Sequence, residues 1–369
     1  MEKIKKRKIL ILVNTYFQII IAIKLKLTMY KDDSVDIIVS NHSTDSKKIY
    51  EKLKNILIFN KIYYLESKET NKKNITKIFE NVFYLLFPKT ALKGKKIIFD
   101  NSYDEYLFYN INKYTYLIYD VLNSKNKNVK IIRFEEGYIS YLHSNIGVSN
   151  IYKKIRKKLG RKFLEENYNY NYLFNPDLLI YNPKSQIKKI ENIERTDKRL
   201  IDIINKVFEY KLISDTYQQK YIFFEESFFC DNKGIDDMNL ILKIADIVGK
   251  ENLLVKLHPR NKIDRFKKYG ITTNKTIGIP WEIIQMNNNF SDKVFLTISS
   301  GSILASKLYF NDNIKTYLLF NCTDKMSDMV TDEYFKYLKK VNNKYGLNSF
   351  IIPKNKEEFF KMLREEKDE

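Results

Sequence analysis

Four short stretches combine ionisable or hydroxyl side chains with residues that would hold them still. Phe134-Glu135-Glu136-Gly137-Tyr138 sets two adjacent carboxylates against a glycine free to make a sharp turn. Neighbours on an extended chain point opposite ways, so one carboxylate can face a ligand while the other anchors the loop. Val255-Lys256-Leu257-His258-Pro259-Arg260 places an imidazole between two cations, and Pro259 biases His258 towards an extended backbone. That locality suits an anion. Phe295-Leu296-Thr297-Ile298-Ser299-Ser300-Gly301-Ser302 carries hydroxyls and main-chain N–H groups into a helical pattern at Ile303, Leu304, Ala305 and Leu308, the makings of a phosphate site. It is not a P-loop, because no Lys-Ser/Thr follows at the right spacing, and Ser299 lacks the G-x-S-x-G frame of a hydrolase elbow. Ile279-Pro280-Trp281-Glu282 holds the chain's single Trp and puts Glu282 in a first helical turn, where it could accept from a ribose diol. Each stretch also has a plainer reading: a solvated strand end at Glu135 and Glu136, a strand-end cap at His258, N-capping by Ser300 or Ser302, and dipole compensation by Glu282.

The elements that must position these groups read as alternating strands and helices. Continuous or alternating apolar runs predict strands over 8–13, 35–39, 62–65, 96–99, 129–134 and 178–181, separated by stretches long enough for crossover helices. After 8–13, a turn at Asn14 and Thr15 opens a helix through Leu27. From 184 to about 215 the chain is polar and helical in pattern, a connection between domains. A second series follows, with strands over 221–224, 253–256, 276–278, 294–298 and 315–319 and a helix over 236–248 closed by Gly249. The expectation is an α/β protein with two doubly wound domains and a cleft between them: 1–200, 201–350, and a helical tail at 351–369 with Phe359, Phe360, Met362 and Leu363 on one side. Ligand groups in such sheets gather at the carboxyl ends of strands, where all four stretches fall.

Composition narrows the class. The 369 residues carry 65 Lys plus Arg against 45 Asp plus Glu, a formal charge of +20, and 44% are hydrophobic, enough for a large core and against wholesale disorder. Only Cys230 and Cys322 are present, with 3 His, which rules out a disulfide framework or a cysteine-based zinc site and fits a reduced compartment. His42 lies in a polar loop and His143 in a mixed segment, so His258 is the histidine placed for chemistry. The basic start runs into only a short apolar stretch with no cleavage pattern, which predicts a cytoplasmic protein without a spanning segment.

In their order along the chain, Glu-Glu-Gly, His-Pro, Pro-Trp-Glu and Ser-Ser-Gly-Ser resemble the bacterial sialyltransferases that share D/E-D/E-G, H-P and serine motifs. The likeness is nearest to glycosyltransferase family 52, which includes enzymes that sialylate capsules and lipooligosaccharides; Asn14-Thr15-Tyr16-Phe17-Gln18 is similar to that family's T-P-x-Q loop, extending the resemblance over about 9–308. It implies a GT-B architecture of two facing Rossmann-like domains, acceptor side first and nucleotide side second. The implied reaction is inverting transfer from CMP-sialic acid to a hydroxyl of a terminal sugar, galactose by expectation, on a capsular or lipid-linked glycan. His258, followed by Pro259, matches the histidine taken to act as acid toward the CMP phosphate. Ser299 and Ser300, with Gly301, match the serine motif holding that phosphate, and Glu282 matches a ribose-binding glutamate. Lys256 and Arg260 would line the path of the anionic donor, and Thr15, Gln18 and Gly137 fall on the acceptor side. The base for the acceptor hydroxyl is Glu136 or Glu135 by analogy with related families. Alternatively it is Asp231, with Asp236 and Asp237 as fallbacks, because Glu226-Ser227 departs from the family's Q-P-like element.

No two aspartates stand two apart, so the D-x-D element that brings a divalent ion to many nucleoside-diphosphate-sugar enzymes is missing, and no metal or other cofactor is expected. Two rivals remain. One is another GT-B transferase with a different activated sugar or a polyol phosphate donor. The other is a nucleic-acid-binding protein, drawn from the basic run Lys153, Lys154, Arg156, Lys157, Lys158, Arg161 and Lys162 with Tyr152, Tyr168 and Tyr170 nearby, although no binding module accompanies it. A solvated helix face, or a patch touching anionic phospholipid on the inner membrane face, explains that run more simply. Monomer and homodimer both stay open.

Overall fold

The computed structural model describes residues 6–68, 74–142, 150–211, 217–274, 278–326, 330–346 and 348–368. The chain divides into two compact units. Unit 1 comprises Met1–Asp177, Tyr181–Glu191 and Asp197–Glu209; unit 2 comprises Leu178–Ile180, Asn192–Thr196 and Tyr210–Glu369. The boundary expected at 200 therefore falls inside a helix of unit 1, Lys198–Phe208.

Unit 1 is built on a seven-stranded sheet ordered β3-β2-β1-β4-β5-β6-β7, every pairing parallel. The strands are β1 Lys8–Val13, β2 Ser34–Ser40, β3 Ile62–Leu65, β4 Glu105–Phe108, β5 Lys130–Phe134, β6 Tyr170–Leu173 and β7 Gln186–Lys189. β1 reads as an unbroken apolar run because it lies mid-sheet with both faces covered: Ile9 to Val13 are at most 1% exposed. From β1 the order runs outward to β2 and β3 on one side and to β4 and beyond on the other, so its carboxyl end marks the point where the winding reverses.

Unit 2 repeats the plan with β8 Tyr221–Phe224, β9 Leu253–Lys256, β10 Thr272–Thr273, β11 Val294–Thr297, β12 Lys315–Leu318 and β13 Phe350–Ile351, all parallel in the order β10-β9-β8-β11-β12-β13. Its reversal lies between β8 and β11. The tail helix Lys356–Asp368 is part of this unit: Phe359 and Leu363 are fully buried, and the helix packs on Asp237–Val248.

Several strand expectations need correction. Residues 96–99 are not a strand; Ile97 and Phe99 plug the core while Ile98 is exposed, an in-and-out alternation that imitates one. The place beside β1 belongs to β4, whose buried Glu105 is held by Arg7 and by the Tyr30 hydroxyl. Residues 178–181 are not a strand either. β6 lies earlier, its apolar run broken by Asn171, whose amide donates to the Ser185 hydroxyl at 2.9 Å. β7 lies within the stretch read as a helical connection; it is a sheet edge with one neighbour, so a polar sequence suffices. In unit 2 a short strand lies at Thr272–Thr273; residues 276 and 277 of the strand expected at 276–278 lie outside the described residues, as does His143.

Candidate functional site

At the reversal point of unit 1, Thr15 caps the helix Tyr16–Leu27: its hydroxyl accepts from the Gln18 N–H at 3.2 Å and donates to Glu136 Oε1 at 2.7 Å. Gln18 is fully buried and folds its amide back into the loop. Its Oε1 accepts from the Asn14 N–H at 2.7 Å and its Nε2 donates to Asn110 Oδ1 at 2.9 Å. Gln18 thus holds the loop after β1 and does not face a sugar, a correction to its expected role. The alternation expected of Glu135 and Glu136 is visible. Glu135 is fully buried and accepts from the Tyr141 hydroxyl at 2.6 Å and the Phe174 N–H at 2.8 Å, which fixes it as an anchor and removes it as a candidate base. Glu136 turns to Thr15, its own N–H donating to the Ser140 hydroxyl at 2.7 Å. Gly137, at φ 67°, makes the left-handed turn that the next residues need.

In unit 2 the end of β9 carries the strongest constellation. The His258 main-chain N–H donates to Glu225 Oε2 at 2.9 Å, and Arg265 holds the other Glu225 oxygen at 2.7 Å while gripping Asp237. His258 Nδ1 accepts from the Arg260 N–H at 3.2 Å, so in the neutral ring the proton sits on Nε2. Burial first, then the charges of Arg260 and Lys256, push this imidazole down to about 4, so it is a neutral donor at pH 7. Beside it Lys256 is lowered to about 8 by burial, partly offset by the charges of Glu282 and Glu225. Its ammonium lies 5.8 Å from the Trp281 ring. Glu282, in the first turn of the helix Trp281–Asn287, is pushed upward by burial, against its own main-chain N–H and the Lys256 charge. A base at the end of β9 and an acid in the first turn of a helix, both perturbed towards neutrality and joined by no salt bridge, mark a site where an external partner would be favoured.

The serine turn behaves otherwise. Ser299 is fully buried; its N–H and hydroxyl both donate to Glu226, at 2.5 and 2.7 Å. Ser299 therefore has no donor left for a phosphate, which corrects that expectation. Ser300 caps the next turn, its hydroxyl accepting from the Ser302 N–H at 3.3 Å, and with Gly301 it remains partly exposed. Asp231 accepts from the Ser227 hydroxyl at 2.7 Å and pairs with Arg260 at 3.0 Å; the Ser227 bond first, then Arg260, holds it below the usual carboxylate range despite some burial. Pro259 is exposed. Of the fallbacks, Asp236 caps the helix Asp237–Val248 and Asp237 is tied to Arg265.

Glu225, Glu226, Arg265 and Asn110 were missed as organisers of these sites. A signal was present: Phe-Glu-Glu ends both β5 and β8. In each copy the first Glu takes a main-chain N–H from the end of the adjacent strand, Phe174 or His258, and the second takes hydroxyls, from Thr15 or from Ser299 and Thr297. Among the described residues, no group of three or more His, Cys, Asp or Glu side chains could hold a metal ion, and no helix is long and apolar enough to cross a membrane.

No family model and no curated protein matches the sequence. Solved structures do match over nearly the whole chain. Arabidopsis thaliana UGT89C1 complexed with UDP is 10% identical with a TM-score of 0.55, covering 99% of this chain and 91% of that one. Medicago truncatula UGT71G1 complexed with UDP-glucose is 12% identical, TM-score 0.53, covering 100% and 92%. The chain has the GT-B fold. The UDP-GlcNAc 2-epimerase of Methanocaldococcus jannaschii, 15% identical with a TM-score of 0.52 over 97% of this chain and 92% of that one, shows that the same fold serves a non-transfer reaction. The GT-B fold by itself therefore specifies no reaction.

Proposed function

We propose that the chain is a glycosyltransferase that binds a nucleotide-activated sugar at the strand ends of unit 2, and that the donor is CMP-sialic acid. The observation that carries the reading is the arrangement around His258: a neutral imidazole with its proton fixed on Nε2, beside a lysine lowered to about 8 and the half-buried Glu282. A phosphate arriving there accepts from His258 Nε2–H, and its charge draws the depressed imidazole back towards its protonated form. His258 then stabilises the CMP phosphate as the bond to the sugar breaks and the electron pair leaves with CMP. Lys256 supplies positive charge, Ser300 and Gly301 line the turn, and Glu282 accepts from the ribose diol. The acceptor hydroxyl attacks the sugar carbon from the opposite side and gives its proton to a carboxylate, for which Glu136 is the better candidate. Asp231 is bound to Ser227 and Arg260 and held low, which makes it a weak base. One phosphate met by Lys256, Arg260 and His258 requires no divalent ion, so transfer proceeds without metal.

A second donor class has its own support, since two of the similar structures named above hold UDP and UDP-glucose. One experiment separates the readings: incubate the protein with a galactoside and, in turn, CMP-sialic acid, UDP-glucose and UDP-GlcNAc, with and without EDTA, and follow nucleotide release and product mass. The expected outcome is CMP release and a sialylated galactoside at equal rates with EDTA present. Release of UDP alone overturns the donor, magnesium-dependent release overturns the metal-free chemistry, and no release from any donor overturns the transferase reading.

A further inference from the structure

The helix Asn74–Leu86 and the helix Pro88–Gly94 that follows it present an apolar stripe to solvent. Phe79, Phe83, Leu86 and Phe87 are 71%, 42%, 50% and 55% exposed, at positions that recur on one side of a helix, and the rings of Phe83 and Phe87 lie 5.7 Å apart. Ile78 is exposed beside them, while Tyr84 and Leu85 enter the core from the other side. Four adjacent large apolar side chains in water mark a surface that meets something.

The charges around the stripe decide what. Lys89 and Lys93, on the second helix, are exposed, as is Lys96 just beyond it. The helix Asn150–Lys158 packs against Asn74–Leu86 and exposes Lys154, Lys157 and Lys158, with Lys162 exposed further on. Three acids are engaged by side chains of their own: Glu80 with Lys113 and the Tyr84 hydroxyl, Glu165 with Lys153 and the Tyr116 hydroxyl, and Asp100 with Lys61. The two arginines of the basic run are engaged as well, since the fully buried Arg156 and the partly exposed Arg161 both pair with Asp120. Among the described residues these seven exposed lysines outnumber the exposed acids Glu66 and Glu166, so the face beside the phenylalanines is net basic. A second copy of this face would set those lysines against each other. Phosphate headgroups over hydrocarbon match both parts at once: rings enter the headgroup boundary and lysines meet the anions.

We propose that this face docks the protein peripherally on an anionic phospholipid bilayer, with Phe79, Phe83, Leu86 and Phe87 inserted and Lys154, Lys157 and Lys158 over the headgroups. The assignment is independent of the donor and of transfer itself.

The test is co-sedimentation with phosphatidylcholine vesicles, with and without phosphatidylglycerol, at low and high salt. The protein should bind the anionic vesicles, release in high salt, and ignore phosphatidylcholine alone. The double variant Phe79→Ser, Phe87→Ser should lower partitioning about tenfold or more. Both sites are exposed, and serine at 87 is a better N-cap for the second helix than the phenylalanine there, so the fold is kept. Lys154→Gln, Lys157→Gln and Lys158→Gln should each weaken binding by about fivefold. Binding that ignores phosphatidylglycerol, or that the phenylalanine variant leaves intact, overturns the proposal. So does a dimer that forms through these phenylalanines, or an oligonucleotide whose binding they govern, in the absence of vesicle binding.

Discussion

The Glu226 carboxylate at the end of β8 receives both the N–H and the hydroxyl of Ser299 at the end of β11, at 2.5 and 2.7 Å. β8 and β11 are the two strands between which the winding of unit 2 reverses, so a protein carboxylate occupies the donors that a bound anion would otherwise use. Thr297 adds its hydroxyl to the same carboxylate at 3.1 Å. Burial pushes Glu226 upward, against the hydrogen bonds that hold it ionised. The serine turn is therefore a rigid support beside the candidate donor site, and the ligand-facing work shifts to Lys256, His258 and Glu282.

This relationship predicts an asymmetry in stability. Glu226→Ala leaves the Ser299 N–H and hydroxyl buried without an acceptor and should cost about 2–4 kcal/mol. Ser299→Ala removes one donor and leaves the acid its other partners, so it should cost only about 1 kcal/mol. Glu226→Gln should fall between them, because the amide oxygen still accepts from the N–H. Urea denaturation followed by circular dichroism reads all three; equal losses for Glu226→Ala and Ser299→Ala would show that the carboxylate is not the hub.

The depressed His258 gives a pH signature. Its folded value of about 4 lies below the ordinary 6.5, so between these limits the unfolded chain binds a proton that the folded chain refuses. Stability from this group is complete above about pH 6.5 and is lost as pH falls towards 4. His258→Gln cannot take up that proton, and the difference between wild type and variant isolates the histidine from carboxylates that titrate in the same range. Melting temperatures from pH 4 to 7 should show wild type losing stability relative to the variant on acidification; parallel curves would refute the buried neutral imidazole. The same variant should lower turnover at least about a hundredfold if His258 serves the leaving phosphate.

The legibility of this protein in its sequence follows burial. β1, β2, β8 and β11 were readable because sheet-centre strands must be apolar on both faces, and the helix Asp237–Val248 announced itself by its spacing, its Asp236 cap and Gly249. β6 and β7 escaped because Asn171 interrupts one run and a sheet edge tolerates polar residues in the other, while 96–99 deceived by alternating without pairing. At the site, His258 stood out through its neighbours Lys256, Pro259 and Arg260. Residue type alone could not tell that Ser299 and Gln18 would turn inward. That depends on Glu226 and Asn110, 73 and 92 positions away.

Arg265 should prove a positioning residue for His258. Its guanidinium bridges Glu225, which holds the His258 N–H, and Asp237, and all three side chains are largely removed from water. Arg265→Met leaves two buried carboxylates without their cation and should destabilise unit 2 by about 3–5 kcal/mol. Arg265→Lys keeps the charge but loses the two-sided grip, so it should retain most stability while kcat falls more than KM changes. A Lys variant with wild-type kcat would confine Arg265 to a structural role.

The choice of base can be settled by asking which carboxylate becomes dispensable when no proton has to be removed. Asp231 is tied to Ser227 and Arg260 and held below the usual range, so Asp231→Asn should free the exposed Arg260 and alter donor KM less than about tenfold, with kcat nearly kept. Glu136 accepts from the Thr15 hydroxyl at 2.7 Å, a bond that an acceptor hydroxyl can replace. Glu136→Gln should therefore lower transfer to a galactoside by about a hundredfold to ten-thousandfold. Azide attacks without giving up a proton, so it should restore donor turnover to Glu136→Gln and leave wild type and Asp231→Asn almost unaffected. Thr15→Val should leave azide turnover unchanged and lower sugar transfer only modestly, because it removes a partner of the base and not the base. Rescue of Asp231→Asn by azide, with Glu136→Gln still active on the sugar, would reverse the assignment.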